Sequence, residues 1–163
     1  MDVVIRRAVL DDVPAIMEIY NESILSSVAT FDVEPKTFED RVEWFLSHDD
    51  KYPIYVAEMD GYVVGWASIS RFRDRYAYRY TVENSIYVRD NYRGMGIGSK
   101  LMKALIDASK ELGYHTIVSV ISSQNVESIN LHKKFGFKVV GVCKEVGYKF
   151  DQWIDVVYMQ IML

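Results

Sequence analysis

The sequence predicts an α/β domain built around one mixed sheet, and three observations lead to this prediction. Strand-like and helix-like segments follow each other in the order β-α-α-β-β-β-α-β-α-β-β. Asp60-Gly61 separates two apolar segments, and Asp-Gly favours the positive φ angles of a type I′ hairpin turn. Residues 116–121 form a short apolar segment, as expected for a strand with both faces buried.

The first elements are a strand and a helix. Residues 3–5 are apolar and β-branched, which is typical of a strand. Asp11 or Asp12 can cap the helix that follows, and Pro14 falls early in that helix, where its missing N–H does no harm. Residues at helical spacing form the predicted buried face of this helix: Val13, Ile16, Met17 and Tyr20.

A second helix and a hairpin come next. The helix is predicted to start at Thr37, because acidic residues follow in the first turn and favour the positive end of the helix dipole. Its apolar side consists of Val42, Phe45 and Leu46. Residues 54–59 and 62–69 are then the two strands of the Asp-Gly hairpin.

The second half of the chain adds strands and helices in alternation. Residues 80–88 are rich in β-branched and aromatic side chains and predict a strand. The next helix follows a glycine-rich turn and ends at Gly113, and its core stripe is Leu101, Ala104, Leu105, Ala108 and Leu112. The remaining predicted elements are the strand mentioned above, a helix and two final strands: 116–121, 125–135, 138–147 and 153–162.

Composition narrows the class of protein. The chain has 163 residues, of which 50% are apolar and 26% charged, with a net charge of −4. We therefore expect a single domain over residues 1–163, without a basic surface for nucleic acid and without a membrane span or signal peptide. Cys143 is the one cysteine, so an intrachain disulfide or a CxxC metal site is excluded. The expected location is the cytoplasm, and the spacing of the histidines predicts no metal.

The glycine-rich turn at residues 93–100 is the most informative stretch. It is not a dinucleotide fingerprint, since Ser99 stands where the last glycine would fall, and it contains no P-loop. It does place backbone without side chains at a helix N-terminus, where free N–H groups and the helix dipole favour an anion. Arg93 adds a positive charge. The alternative is a glycine-rich connection that binds nothing.

Two motifs resemble the GNAT superfamily of N-acetyltransferases. Arg93, Gly96 and Gly98 match its acetyl-CoA signature [QR]-x-x-G-x-[GA], and Asn125 with the segment 131–137 matches its later element, an Asn followed by L-[YH]-x-x-x-G-[FY]. This resemblance implies the GNAT fold, a mixed and mostly antiparallel sheet of about seven strands flanked by about four helices. It also implies acetyl-CoA as co-substrate, with no metal.

The resemblance further implies which residues bind the cofactor. Loop amides would hold the pyrophosphate, and the preceding strand would meet the pantetheine arm and the thioester. The residues implied are Ile86, Tyr87, Val88, Arg93, Gly94, Met95, Gly96, Ile97, Gly98, Ser99, Asn125, Ser128 and Lys134. Asn125 could equally be a helix N-cap, and Lys134 could belong to a solvated helix face.

A narrower resemblance, to phosphinothricin and methionine sulfoximine N-acetyltransferases, covers nearly the whole chain. It rests on residues 19–21, 30–31, 81–88, 125–136, and 147–150 with 153–156. The last of these is the most specific to the subfamily. The resemblance implies an amino acid or a close analogue as the acceptor, and a homodimer.

Two residues are candidates for the chemistry. Acyl transfer to an amine requires a neutral amine, a stabilised oxyanion and a proton for the leaving thiolate. Glu83 lies on a strand face with Ser85 and Tyr87, and the resemblance places a general base there; in an arbitrary strand it would be a solvent-facing carboxylate. His132 stands where the wider family often has a tyrosine acid, and it could be an acid, a relay or a structural residue.

The segment 71–80 alternates arginine and tyrosine. Such a pattern could stack single-stranded nucleic acid, but the net negative charge and the short length argue against it. We interpret it as a loop bordering the active cleft, with Arg73 or Arg75 facing an acidic small molecule. The predicted substrate contacts are Phe31, Arg73, Asp74, Arg75, Tyr78, Glu83, Asn84 and Ser85.

The sequence therefore predicts an acetyl-CoA-dependent N-acetyltransferase that acts on the α-amine of an amino acid or analogue. One alternative keeps the chemistry but acetylates a polyamine or a protein N-terminus; the arginine-rich segment speaks against a cationic acceptor. The other alternative is a CoA-binding module without activity, against which Glu83 and His132 both argue.

Overall fold

The central feature of the molecule is a seven-stranded sheet with the strand order β1-β2-β3-β4-β5-β7-β6. The computed structural model describes residues 2–163. The strands are β1 (Val3–Arg7), β2 (Ile54–Met59), β3 (Tyr62–Arg71), β4 (Thr81–Val88), β5 (Thr116–Ser122), β6 (Lys138–Lys149) and β7 (Gln152–Met162). The helices are α1 (Val13–Ser26), α2 (Phe38–Ser47), α3 (Ile97–Glu111) and α4 (Val126–Lys134). The predicted order of elements is confirmed, with boundaries within a few residues.

Local signals in the sequence fix two of the connections. Asp60 and Gly61 have φ angles of 52° and 83°, so the β2–β3 turn has the positive φ values of the predicted type I′ hairpin. Thr37 caps α2, because its hydroxyl accepts a hydrogen bond from the Asp40 amide at 3.1 Å. The hairpin turn and the start of the helix at Thr37 were both predicted from neighbouring residues alone.

The start of α1 differs from the prediction. Asp12 occupies the N-cap position, but its side chain caps no helix amide. Its carboxylate instead accepts from the Arg6 guanidinium at 2.8 Å and from the Val9 amide at 2.8 Å. Burial alone would raise the pKa of Asp12, but these hydrogen bonds outweigh it and hold the pKa below its ordinary value. The aspartate therefore joins β1 to α1.

The apolar sides of α1 and α2 also differ in part from the prediction. In α1, Met17 is half-buried, whereas Ile19 and Ile24 are buried. In α2, Leu46 is 67% exposed, and Arg41 is buried instead. The Arg41 guanidinium packs over the rings of Tyr20 and Trp44, so a cation–π contact joins α2 to α1.

Two apolar clusters pack against the sheet. The larger one surrounds α3, whose side chains Leu101, Met102 and Leu105 are fully buried. The smaller one joins α1 to β2 and β3 and includes Ile16 and Trp66. Both faces of β2 and β3 are therefore covered, whereas Val120 of β5, in the segment predicted to be buried on both faces, is 41% exposed.

The sheet divides between β4 and β5. These strands form its parallel pair, and their pairing consists of Thr81 with Thr116, Val82 with Ile117 and Glu83 with Val118. Beyond Glu83, β4 continues along β3 up to Val88, whereas β5 continues along β7 up to Ser122. The two halves of the sheet thus separate just after Glu83. Within residues 2–163, no helix has the length and hydrophobicity that a membrane crossing requires.

Candidate active site

Two cavities meet where the sheet divides. The first, which we call the loop cleft, has a volume of about 240 Å³ and runs from the turn before α3 to the N-terminal end of α4. The second, the Glu83 cavity, has a volume of about 280 Å³ and lies between β4, β5 and the α1–α2 connection. Both are lined by Ala29, Ile86, Tyr87, Asn125 and Ser128. A ligand in one cavity can therefore touch a ligand in the other.

The loop cleft has the features of an anion site. Gly94 and Gly96 have φ angles of 75° and 80°, which side-chain-bearing residues rarely adopt. In the described part of the chain, no acceptor bonds to the backbone amides of residues 94–99. The amides of residues 97–99 belong to the first turn of α3. Their free N–H groups and the positive end of the helix dipole both favour an anion at this position. Met95 is half-exposed and does not line the cleft.

Charged side chains rim this cleft. The Arg93 guanidinium pairs with Asp90 and with Glu127, each at 3.2 Å, and so connects the glycine turn to α4. The Lys134 ammonium donates to the Ser99 hydroxyl at 3.2 Å. The predicted cationic residues are therefore at the rim of the cleft, although Lys134 does not line it.

Asn125 lines both cavities and caps α4. Its side-chain oxygen accepts a hydrogen bond from the Ser128 amide at 3.2 Å, which confirms the N-cap interpretation. This bond uses the amide oxygen and leaves the Asn125 amino group without a partner among the described residues. A hydrogen-bond donor therefore remains available at the junction of the cavities.

Glu83 is the last residue of β4 that pairs with β5, and its side chain lines the Glu83 cavity. Within residues 2–163, no hydrogen bond or ion pair holds its carboxylate. Burial raises the pKa of Glu83, and the positive charge of Arg73 opposes this shift in part. A half-buried carboxylate without a partner is well suited to accept a proton from a ligand.

Behind Glu83, three polar side chains form a buried network. The Ser119 hydroxyl donates to Oδ1 of Asn84 at 2.5 Å, and Nδ2 of Asn84 donates to Nε2 of His132 at 3.0 Å. On the other side of the ring, Nδ1 of His132 lies 2.6 Å from the Ser128 carbonyl oxygen. A carbonyl only accepts, so we assign the ring proton to Nδ1. Burial lowers the pKa of His132, against the effect of that bond, and favours the neutral ring.

Sequence reasoning missed Ser119. It lies in a segment that was interpreted as an apolar strand, and its side chain is 1% exposed. A serine inside an otherwise apolar strand was the available signal, because a buried hydroxyl requires a partner. Its partner lies 35 positions earlier in the chain, which no local pattern reveals.

The predicted substrate residues fall into two places. Phe31, Asn84 and Ser85 line the Glu83 cavity with Glu83 itself. The residues Arg73, Asp74, Arg75 and Tyr78 line a third cavity of about 400 Å³, which shares no lining residue with the other two and also contains Arg71 and Arg79. The positive charge of Arg73 nevertheless opposes the rise in the pKa of Glu83.

Comparison with known proteins decides the family. The sequence profile described as the Acetyltransferase (GNAT) family matches residues 13–137. The chain belongs to this family. It is 39% identical to the L-methionine sulfoximine/L-methionine sulfone acetyltransferase of Pseudomonas aeruginosa, over 100% of this chain and 96% of that protein. It is also 39% identical to an L-amino acid N-acyltransferase of Escherichia coli, over 98% of this chain and 93% of that protein.

The fold of this GNAT protein agrees with that of a solved relative. The crystal structure of a GNAT superfamily phosphinothricin acetyltransferase from Sinorhizobium meliloti in complex with acetyl-CoA matches it with a TM-score of 0.97 and 38% identity, over 100% of this chain and 89% of that chain. The predicted fold and the resemblance to this branch of the superfamily are confirmed. The protein is an acetyl-CoA-dependent N-acetyltransferase.

The loop cleft fits the co-substrate of this GNAT enzyme. Free amides at residues 94–99 could hold the pyrophosphate, and the part of the cleft lined by Ile86 and Val88 could hold the pantetheine arm. The junction with the Glu83 cavity is where the thioester would end. Among the described residues, no group of three or more potential ligands could hold a metal ion.

Substitution of Gly96 tests this assignment. A Cβ at Gly96 would meet no protein atom within 4 Å, so a longer side chain extends into open space beside the loop amides. We expect Gly96→Glu to weaken acetyl-CoA binding by about 100-fold or more, because charge-assisted hydrogen bonds contribute about 1.5–3 kcal/mol each. Calorimetric titration measures the affinity, and circular dichroism checks the fold.

The matched control is Gly96→Ala. Alanine carries the same backbone strain at a φ of 80° but no carboxylate, so it separates strain from charge and bulk. We expect a clearly smaller loss of affinity for alanine than for glutamate. Native affinity in a folded Gly96→Glu variant would mean that the pyrophosphate binds elsewhere.

Proposed function

We propose that the protein transfers the acetyl group of acetyl-CoA to the α-amine of an amino acid or analogue of the methionine sulfoximine and phosphinothricin type. The observation that carries this proposal is Glu83, a carboxylate that has no partner among residues 2–163 and lies in a cavity that joins the loop cleft. The names of the relatives from Pseudomonas aeruginosa and Escherichia coli support an amino-acid acceptor. A screen of amino acids, analogues, polyamines and peptides for acetyl-CoA consumption tests it.

In this proposal the amine attacks the thioester directly. An ammonium group entering the Glu83 cavity gives a proton to the Glu83 carboxylate, and the neutral nitrogen then forms the C–N bond as the C–S bond breaks. The proton released at the amine balances the proton that the CoA thiolate takes up. Beyond Glu83, the edge of β4 that faces β5 has no strand partner. Its N–H groups are available to stabilise the oxyanion.

His132 has a supporting role in this proposal. Its Nε2 accepts from Asn84, and an acid would need a proton on the same nitrogen. A proton on Nε2 would face the N–H donor of Asn84, so two hydrogen-bond donors would oppose each other. It would also give the ring a positive charge at a site where burial lowers the pKa of the imidazole. We therefore assign His132 to orienting Asn84 beside Glu83, rather than to the acid or relay role.

Arg73 is the proposed partner of the acceptor carboxylate. Burying that carboxylate without a counter-charge would cost several kcal/mol. The positive charge of Arg73 opposes the rise in the pKa of Glu83, and its guanidinium has no ion pair among the described residues. Arg75 lines the third cavity and remains a second candidate.

A second copy of this chain is the proposed partner. Strand β6 is an edge strand, and its first nine residues, from Lys138 to Val146, are exposed. The exposed apolar side chains on and beside this edge are Val139, Val140, Val142, Val146, Tyr148 and Trp153. A long exposed edge of this kind favours pairing with another chain, and the homodimer implied by the subfamily would cover it.

Substitution of Glu83 tests the base. We expect Glu83→Gln to lower kcat by about 10²–10⁴-fold, the usual range for general-base catalysis. Because burial raises the pKa of Glu83, the acidic limb of the parent pH–rate profile should lie above the ordinary glutamate value of 4.5, and it should vanish in the variant. A parent-like rate across the pH range would mean that the amine enters already neutral.

Stability provides a readout of Glu83 that does not depend on activity. A raised pKa means that the folded protein holds this proton more tightly than the unfolded chain does. The parent should therefore lose stability relative to Glu83→Gln as pH rises from below 4.5 through the raised pKa. The measurement is the thermal denaturation midpoint of both proteins as a function of pH. If the two midpoints changed with pH in the same way over this range, the raised pKa of Glu83 would be contradicted.

Substitution of Arg73 tests the carboxylate site. We expect Arg73→Ala to lower kcat/KM for an amino acid by about tenfold to a few hundredfold, mainly through KM, because the carboxylate keeps its charge during the reaction. The corresponding amino-acid amide should be a poor substrate of the parent and should lose little more in the variant.

Two further variants complete this comparison. Arg75→Ala decides between the two candidate arginines. Arg79→Ala removes a guanidinium that packs over Tyr76 and Tyr80, and it should leave the discrimination between acid and amide unchanged. If none of the variants changes that discrimination, a polyamine or a protein N-terminus becomes the favoured acceptor.

Sedimentation tests the dimer. We expect the parent to sediment as a dimer at micromolar concentration and Val142→Lys, at the middle of the exposed edge, to shift it toward monomer, because a buried lysine without a partner is unfavourable. Lys103→Met on the exposed surface of α3 is the control and should remain dimeric. A monomeric parent would refute this proposal.

A further inference from the structure

The α1–α2 connection forms one wall of the Glu83 cavity. Four consecutive residues line it, from Val28 to Phe31, and none of them belongs to a helix or strand. A cavity wall without regular backbone hydrogen bonds must be held by its side-chain contacts. What holds this wall therefore determines the shape of the cavity.

Contacts from α1 fix the connection on one side. The Tyr20 hydroxyl lies 2.9 Å from the Thr30 hydroxyl and also bonds to Asp32. The Asn21 side chain pairs with both backbone groups of Lys36, at 2.8 and 3.0 Å. These contacts attach the segment to the β1–β4 half of the divided sheet, on which α1 packs.

Lys149 fixes the same segment from the other half of the sheet. This lysine is at the end of β6, its side chain is buried, and its ammonium donates to the carbonyl oxygens of Ser27 and Thr30 at 2.8 Å each. Ser27 is the C-cap of α1, where carbonyls lack helical partners and a cation is favoured. Burial lowers the pKa of Lys149, and the charge of Asp32 opposes that shift.

Gly147, two residues before Lys149, receives the ring of Phe31. A Cβ built on Gly147 would lie 2.6 Å from Cζ of Phe31, which no real contact allows. The absence of a side chain at Gly147 therefore lets Phe31 pack directly on β6. Neither Gly147 nor Lys149 lines the cavity, whereas Phe31 does.

We propose that Lys149 is a positioning residue for acceptor selection: by holding the Ser27 and Thr30 carbonyls, it sets the Phe31 wall that contacts the side chain of the amino-acid acceptor. This inference rests on the proposed function. Glu83 handles the amine in that function and Arg73 the carboxylate, so Phe31 is left to face the acceptor side chain. Lys149 connects the two halves of the sheet across the cavity and acts through the wall alone.

The test is Lys149→Met, which keeps an aliphatic chain but removes the charge and both hydrogen bonds. We expect KM for methionine sulfone to rise by about tenfold, which corresponds to a loss of about 1.4 kcal/mol in acceptor binding. The kcat should stay within about twofold, because Glu83 is unchanged. The KM for acetyl-CoA should change less than the acceptor KM, because Ala29 is the one residue of this wall that also lines the loop cleft. The preference for methionine sulfone over alanine should fall, since alanine does not reach the wall.

Lys103→Met is the matched control. It makes the same substitution at a lysine that pairs with Asp107 on the exposed side of α3. Its KM values should equal those of the parent. A global loss of stability in Lys149→Met would lower the apparent kcat through a smaller folded fraction and leave both KM values unchanged, whereas positioning changes mainly the acceptor KM.

A double-mutant cycle with Phe31→Ala completes the test. If Lys149 acts through Phe31, adding Lys149→Met to Phe31→Ala should raise the acceptor KM by less than twofold, although each single change raises it by about tenfold. Gly147→Ala provides a second route if Lys149→Met does not fold, because it displaces Phe31 from the side of β6. Its effect on the acceptor KM should likewise disappear in the Phe31→Ala background.

The possible outcomes separate the two proposals. A parent enzyme that acetylates no amino acid would refute the proposed function. An active parent with unchanged acceptor KM and selectivity in folded Lys149→Met, or with fully additive effects in both cycles, would overturn the positioning role and leave the proposed function intact.

Discussion

The separation of β4 from β5 is the constraint on which the rest of the site depends. Parallel pairing between these strands consists of three residue pairs and ends at Glu83. From there β4 stays with β3 and β5 stays with β7, so the gap has hydrogen-bonded strands on both sides. Two cavities meet in this gap, and the backbone of β4 faces it without a partner strand. In the proposed function, this opening is where the thioester and the amine would meet.

The polar side chains at the gap differ in whether they have a hydrogen-bond partner. Asn84, Ser119 and His132 satisfy one another behind the strand, which is the ordinary requirement for buried hydrogen-bonding groups. Glu83 lies one residue before Asn84 and has no such partner in the described part of the chain, although burial raises the pKa of its carboxyl group. The satisfied network fixes the strand, and the unsatisfied carboxylate is left for a ligand. Leaving such a group without a partner reduces stability and is typical of functional sites.

The two halves of the sheet also need a connection above the gap. The α1–α2 segment provides it, because Tyr20 attaches this segment to one half and Lys149 attaches it to the other. A buried ammonium costs free energy unless its donors are used, and here two carbonyl oxygens accept from it. Because Gly147 has no side chain, it leaves space for the Phe31 ring of the same segment. The wall of the cavity is therefore determined by residues that do not line it.

The sequence by itself determined the features that depend on neighbouring residues. The Asp60-Gly61 turn, the Thr37 cap, the glycine turn before α3 and the order of strands and helices all follow from local backbone preferences and hydrophobic period. The tertiary structure decided which polar side chains meet. Asp12 binds Arg6 rather than capping its helix, and Ser119 finds Asn84 across the gap. Arg75 lines a cavity apart from Glu83, and Lys149 reaches carbonyls 119 and 122 positions away. The reason is physical: local propensity acts over a few residues, whereas a buried polar group is satisfied by whichever partner the fold brings within hydrogen-bonding distance.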